Sequence, residues 1–150
     1  MADYLRPYAS RLIGVDLSVT MLSKARRKGQ YDELHEEELT KFFRANPRRF
    51  DLITSVDTLC YIGAMEETAT TAATSLIDGG WMCFTVEKAP PEFEATLGYG
   101  LADSGRYYHE AEYIQRALSR AEFREIDIRD VVLRKEMGED VLGLLVLAQH

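Results

Sequence analysis

The last two apolar runs of the chain constrain its fold more than any other feature. Phe123 to Leu133 and Val141 to Ala148 both read as strands, and only Arg134 to Asp140 lies between them. A parallel pair needs a crossover of a dozen or more residues, so these two must close as an antiparallel hairpin. Upstream the pattern changes: short β-type runs alternate with helical periodicity, which points to a parallel α/β sheet. The expected fold is therefore α/β, mostly parallel, ending in an antiparallel hairpin.

The upstream elements can be placed from local chemistry. Arg11 to Asp16 is a short apolar strand ending in an acid. Ser18 can cap the helix that follows by accepting from the Met21 amide, and Gly29 is a natural terminator. Lys24, Arg26, Arg27 and Lys28 then fall in the last turns, where cations offset the negative end of the helix dipole. A weak strand is expected around Glu33 to Glu38. Leu39, Phe42 and Phe43 mark a helical face that stops near Asn46, because Pro47 disfavours helix before it. Phe50 to Ser55 is the clearest buried strand. Ala69, Ala72, Ala73, Leu76 and Ile77 form a helical stripe that Gly79-Gly80 should end, and Trp81 to Val86 reads as a strand covered on both faces. Lys88 to Gly105 reads as a long functional loop. A helix from Glu110 to Arg120 carries Tyr113, Ile114, Ala117 and Leu118 on one side.

With 150 residues, 46% of them hydrophobic, the chain can bury one core, and a single domain over residues 1–150 is expected. The 18 basic and 25 acidic residues leave a net charge of −7, which argues against a nucleic acid as partner. Cys60 and Cys83 lie in apolar runs at a spacing that suits no metal, so they read as buried thiols of a cytoplasmic protein. No apolar run is long enough for a bilayer, and no signal peptide is visible, so no membrane partner is expected.

Several short motifs bear on chemistry. Gly14-Val-Asp-Leu-Ser18 precedes Met21-Leu22 and Ala25-Arg26, Glu38-Leu39 follows the weak strand, and Phe50-Asp-Leu-Ile leads to Ser55-Val-Asp-Thr-Leu-Cys-Tyr-Ile-Gly63. In this order, and with the closing hairpin, the chain resembles the class I S-adenosylmethionine-dependent methyltransferases from about Leu5 to Ala148. The resemblance implies a Rossmann-like sheet in which Asp16 binds both ribose hydroxyls of the cofactor. A carboxylate is acceptor-only and can take both protons at once. It also implies that Leu17 and Met21 border the adenine or ribose, that Glu38 takes a proton from the adenine amino group with Leu39 packed on the ring, and that Ser55 and Val56 offer backbone groups near the methionine moiety. Asp57 and Tyr61 lie beyond a strand end, where open α/β sheets bind ligands. Two plainer readings stay open: Glu36, Glu37 and Glu38 also fit a solvated acidic run, and Asp57 also fits a turn cap.

Gly105-Arg-Tyr-Tyr-His-Glu110 resembles the substrate side of a subgroup whose members are often fused to tetratricopeptide repeats and carry a similar Val-Val-Leu-Arg stretch before the final hairpin. It implies Tyr107 and Tyr108 as substrate contacts and His109 as a base near neutral pH. The alternative is that His109 starts a helix and the tyrosines cover its flank. The family's first motif, a strand and glycine-rich turn, should precede Asp3 to Ala9, yet the first glycine is Gly14. The expectation is a methyltransferase sheet with its first strand missing, binding S-adenosylmethionine weakly or not at all. Its acceptor would be a small molecule or a protein, and its open sheet would favour a homo-oligomer. Two rivals are a non-catalytic interaction domain that has lost the cofactor and a fragment of a nicotinamide dehydrogenase. The closing hairpin and the lack of a glycine fingerprint speak against the second.

Overall fold

A computed structural model describes residues 1–93 and 96–150, in two compact units, Met1–Asn46 and Pro47–His150. In the first unit, α1 (Ala2–Leu5) runs into a 3-10 turn at Arg6–Tyr8, followed by β1 (Ile13–Asp16), α2 (Val19–Lys28), β2 (Glu33–Glu36) and α3 (Leu39–Ala45). β1 and β2 pair in parallel, with Ile13 opposite Glu33 and Asp16 opposite Glu36. The expected caps of α2 are present: Ser18 accepts from the Met21 amide, and Gly29 takes the left-handed conformation at φ 65°. β2 stops at Glu36, short of the Glu38 expected for it. Glu38 is the N-cap of α3, so the chain has already turned into the helix there. Phe42 and Phe43 are buried as their spacing requires.

The second unit holds β3 (Phe50–Ser55), α4 (Glu66–Ser75), β4 (Leu76–Lys88), β5 (Tyr99–Leu101), β6 (Tyr107–His109), α5 (Ala111–Arg120), β7 (Ile126–Glu136) and β8 (Glu139–Gln149). They form one mixed sheet in the order β5-β6-β4-β8-β7, with β3 also paired to β4. β3 and β6 run parallel to β4, and β8 runs antiparallel to it. Met82, Phe84 and Val86 alternate onto one face opposite Ala148, Val146 and Leu144, and all six are buried. Burying a side chain such as Phe84 contributes about 1.5–3 kcal/mol. Ala69, Ala72 and Ala73 of α4 are buried with Tyr113, Ile114, Ala117 and Leu118 of α5, and the two helices contact each other.

The closing hairpin is antiparallel, and its strands run further than the sequence suggested, to Glu136 and from Glu139. Met137 and Gly138, at φ 50° and 92°, make a two-residue tip whose left-handed conformations match the twist of the strands. Other expectations are corrected. α4 ends at Ser75 rather than at the glycine pair, because Leu76 is already extended at ψ 150° and opens β4 opposite Phe50. Gly79-Gly80 lies inside that strand, where Gly79 at φ 77° absorbs a register shift. The stretch from Lys88 to Gly105 is not all loop, since it holds β5. β3 is less buried than its composition suggests: Leu52 is 46% exposed. Among the described residues β1 pairs only with β2 and β3 only with β4, so each strand keeps an unpaired edge.

Candidate functional site

In the first unit Asp16 closes β1 at its carboxyl end and is exposed. Its Oδ1 accepts from the Ser18 amide at 2.8 Å, so the tight entry into α2 orients the carboxylate. Leu17 and Met21 flank it, both apolar and both exposed. An acceptor-only group beside two exposed apolar side chains suits a ligand with hydroxyls and an apolar ring. Glu38 is placed differently. Its Oε1 accepts from the Thr40 amide at 2.9 Å, and its Oε2 accepts from the Thr40 hydroxyl at 2.6 Å and the Lys41 amide at 2.9 Å. Burial pushes this carboxyl up, but those hydrogen bonds outweigh it and hold it below its usual value. Both oxygens are engaged in capping α3, with Leu39 the first residue of that helix.

In the second unit Ser55 ends β3, exposed Val56 follows, and Asp57 turns the chain at φ 56°. The Asp57 amide donates to Thr85 Oγ1 at 3.1 Å, which ties this turn to β4. The Asp57 carboxylate accepts from Arg134 Nη1 at 3.1 Å and, within its own turn, from Cys60 Sγ at 3.9 Å. Arg134 Nη2 donates to Glu87, which sits near the carboxyl end of β4 and is only 3% exposed. Arg106 lies over the Tyr61 ring at 5.8 Å, with its Nε 3.8 Å from Glu87. Glu136 accepts from both arginines and is held below the usual carboxylate range, first by Arg134 and then by Arg106. The strand ends thus bring Asp57 and Tyr61 together with four charged residues that sequence reasoning missed. One signal was available: Glu87 directly follows the apolar run Trp81 to Val86, as Asp16 follows its own strand.

The third candidate in this unit sits elsewhere. His109 is 0% exposed, and its Nε2 lies 3.0 Å from the Gly63 carbonyl. A carbonyl only accepts, so Nε2 carries the proton. Nδ1 is then buried without a hydrogen-bond partner among the described residues. Burial pushes the imidazole below its ordinary value, although backbone groups of Gly63, Ile62 and Tyr107 oppose the shift. Tyr99 and Tyr113 stack around the ring, Tyr107 meets Tyr99 at 6.1 Å, and Tyr108 packs edge-on to Phe93. The Tyr113 hydroxyl donates to Glu66 and accepts from the Met65 amide. His109 is placed here as a core residue rather than at an open surface.

A pH dependence follows. A histidine whose folded value is depressed takes up its proton more readily unfolded, so its contribution is complete above the ordinary value of 6.5 and is lost as pH falls. Melting temperature is expected to drop between about pH 7.5 and 5.5, and His109→Gln should reduce that drop. An equal drop in the variant would place the titration elsewhere.

A family model described as a methyltransferase domain matches residues 1–127. Among solved structures, an S-adenosylmethionine-dependent methyltransferase from Mesorhizobium loti is 22% identical with a TM-score of 0.69, the match covering 95% of this chain and 81% of that one. The N-methyltransferase NodS from Bradyrhizobium japonicum WM9, in complex with S-adenosylhomocysteine, is 19% identical with a TM-score of 0.67, covering 99% and 70%. A possible exported protein from Bordetella parapertussis is 18% identical with a TM-score of 0.68; 93% of this chain matches, spanning 53% of that protein's length. At these identities the likeness shows the fold alone. No curated protein matches. Among the described residues no helix is long and apolar enough to cross a membrane, and no cluster of metal-ligating side chains is present.

Proposed function

The chain belongs to the methyltransferase-domain family, and on that premise we propose an S-adenosylmethionine-dependent methyltransferase acting on a small molecule or a protein. The observation that carries the reading is Asp16, exposed at the end of β1 with its carboxylate oriented by Ser18 and flanked by Leu17 and Met21. These residues fit the ribose and adenine side of the cofactor. Glu38 does not fit its family role, because its oxygens are engaged with Thr40 and Lys41. Ser55 and Val56 lie in the second unit, where Ser55 pairs with Phe84 and the Val56 carbonyl accepts from Thr58 Oγ1.

When bound, S-adenosylmethionine supplies an electrophilic methyl group on a sulfonium. The chain's own part is to position an acceptor and exclude water, and such positioning can be worth roughly 7–11 kcal/mol. Asp57 and Tyr61 stand where an acceptor hydroxyl or amine could lose a proton, and Tyr107 and Tyr108 lie on the β6 side of the same sheet. The test is thermal: S-adenosylhomocysteine at millimolar concentration should raise the melting temperature where NAD does not. Equal shifts from both, or from neither, would remove the reading.

A non-catalytic interaction domain is the second reading, and the unpaired edges of β1 and β3 favour it. Open edges invite strand pairing with another chain. We read each edge, taken by itself, as open to pairing with a second copy of the chain, with two-fold symmetry as the simplest closure. Light scattering at low protein concentration should then give the mass of a dimer, and a monomer would remove the association.

A further inference from the structure

The charged cluster of the second unit contains one group that its internal balance does not need. Asp57 and Glu87 already neutralise Arg134 and Arg106, two acids against two guanidiniums. Glu136 is a third acid, and it occupies the outer side of both: its Oε1 lies 2.8 Å from Arg106 Nη1 and 2.7 Å from Arg134 Nε. The two arginine side chains are 20% exposed, whereas Glu136 is 44% exposed and sits at the last position of β7, beside the Met137-Gly138 tip. Each guanidinium also has a contact other than Glu136, though the hydrogen bond of Arg106 is to Glu136. Arg134 is fixed from within by Glu87 and Asp57, and Arg106 lies over Tyr61. Among the described residues Arg106 Nε is buried with no hydrogen-bond acceptor, and it lies 3.8 Å from Glu87.

Two guanidiniums that each donate to one carboxylate oxygen make a charge-assisted acceptor site, stronger than neutral hydrogen bonds would be. We propose that Arg106 and Arg134 form a recognition socket for the carboxylate of a small organic acid, and that Glu136 is an internal stand-in which this ligand displaces. The exchange replaces one carboxylate by another, so it leaves no buried charge unpaired. The displaced side chain returns to water at the hairpin tip. The two arginines that would hold it also contact Tyr61 and Asp57, so under the methyltransferase reading the ligand is the methyl acceptor. That last step rests on the proposed function; carboxylate binding itself does not.

The full chain, isotope-labelled for NMR, can be titrated with malonate and, at matched ionic strength, with chloride. Glu136→Gln is expected to bind malonate at least fivefold more tightly than the wild-type chain, with shifts at the Nε–H signals of Arg106 and Arg134. Adding Arg106→Lys should abolish that gain, because a compact ammonium on a flexible stem does not hold the planar donor at the position of Arg106 Nη1. Glu136→Ala, expected to behave like Glu136→Gln, guards against an effect peculiar to the amide. The proposal is overturned if removing the carboxylate leaves malonate affinity unchanged, if chloride produces the same shifts, or if the Arg106→Lys double variant keeps the gain. Malonate binding in a chain that shows no response to S-adenosylhomocysteine would uphold the socket and remove only the methyltransferase reading.

Discussion

Arg134→Ala is expected to destabilise the second unit by about 3 kcal/mol, measured by urea unfolding. Glu87 is almost completely buried, and Arg134 Nη2 is its closest cationic partner. Removing one member of a buried ion pair typically costs about 3–5 kcal/mol, because the other charge is left without compensation. The lower end applies here, since Arg106 Nε remains 3.8 Å away. Removing both charges should cost less than removing one. Glu87→Leu added to Arg134→Ala is therefore expected to recover at least half of the loss. A single variant as stable as wild type, or a double variant less stable than the single one, would mean that Glu87 is not held as a paired carboxylate.

Gly63→Ala is expected to destabilise by about 2 kcal/mol and to weaken the near-ultraviolet circular dichroism of the tyrosines. A Cβ at this position would stand 2.7 Å from ring atoms of both Tyr107 and Tyr99. The Tyr99 ring cannot simply swing away, because it also packs on His109 and Tyr113. Overpacking a filled core costs about 1–3 kcal/mol. The same shift would pull the Gly63 carbonyl off His109 Nε2, leaving that buried donor unpaired. An unchanged unfolding midpoint would show that the aromatic cluster has slack the geometry denies.

What the sequence revealed depended on how local its signals were. The cap of α2 needs only Ser18, Met21 and Gly29, and all three act as their chemistry dictates. The closing hairpin follows from chain length alone. The start of β4 was misread because Leu76 and Ile77 continue the helical spacing of Ala69, Ala72 and Ala73. Only pairing with Phe50, distant in sequence, reveals them as strand. Glu38 shows the opposite failure: its acidic character was legible, but its use as a cap appears only once α3 is placed. The charged cluster was hidden for the same reason. Arg134 meets Glu87 across 47 residues and Asp57 across 77, and no periodicity signals such a meeting.

The central claim is that Asp16 anchors an adenosyl ligand in a methyltransferase-type domain. An NMR titration with S-adenosylhomocysteine tests it most directly, because it reads location and affinity together. The expected result is weak binding with shifts at the amides of Asp16, Leu17 and Ser18, the segment in which the Asp16 carboxylate is oriented. Asp16→Ala should weaken that binding by roughly 1.5–3 kcal/mol, the scale of hydrogen bonds to a charged group. An unresponsive Asp16 segment, or a dissociation constant that Asp16→Ala leaves unchanged, would contradict the claim.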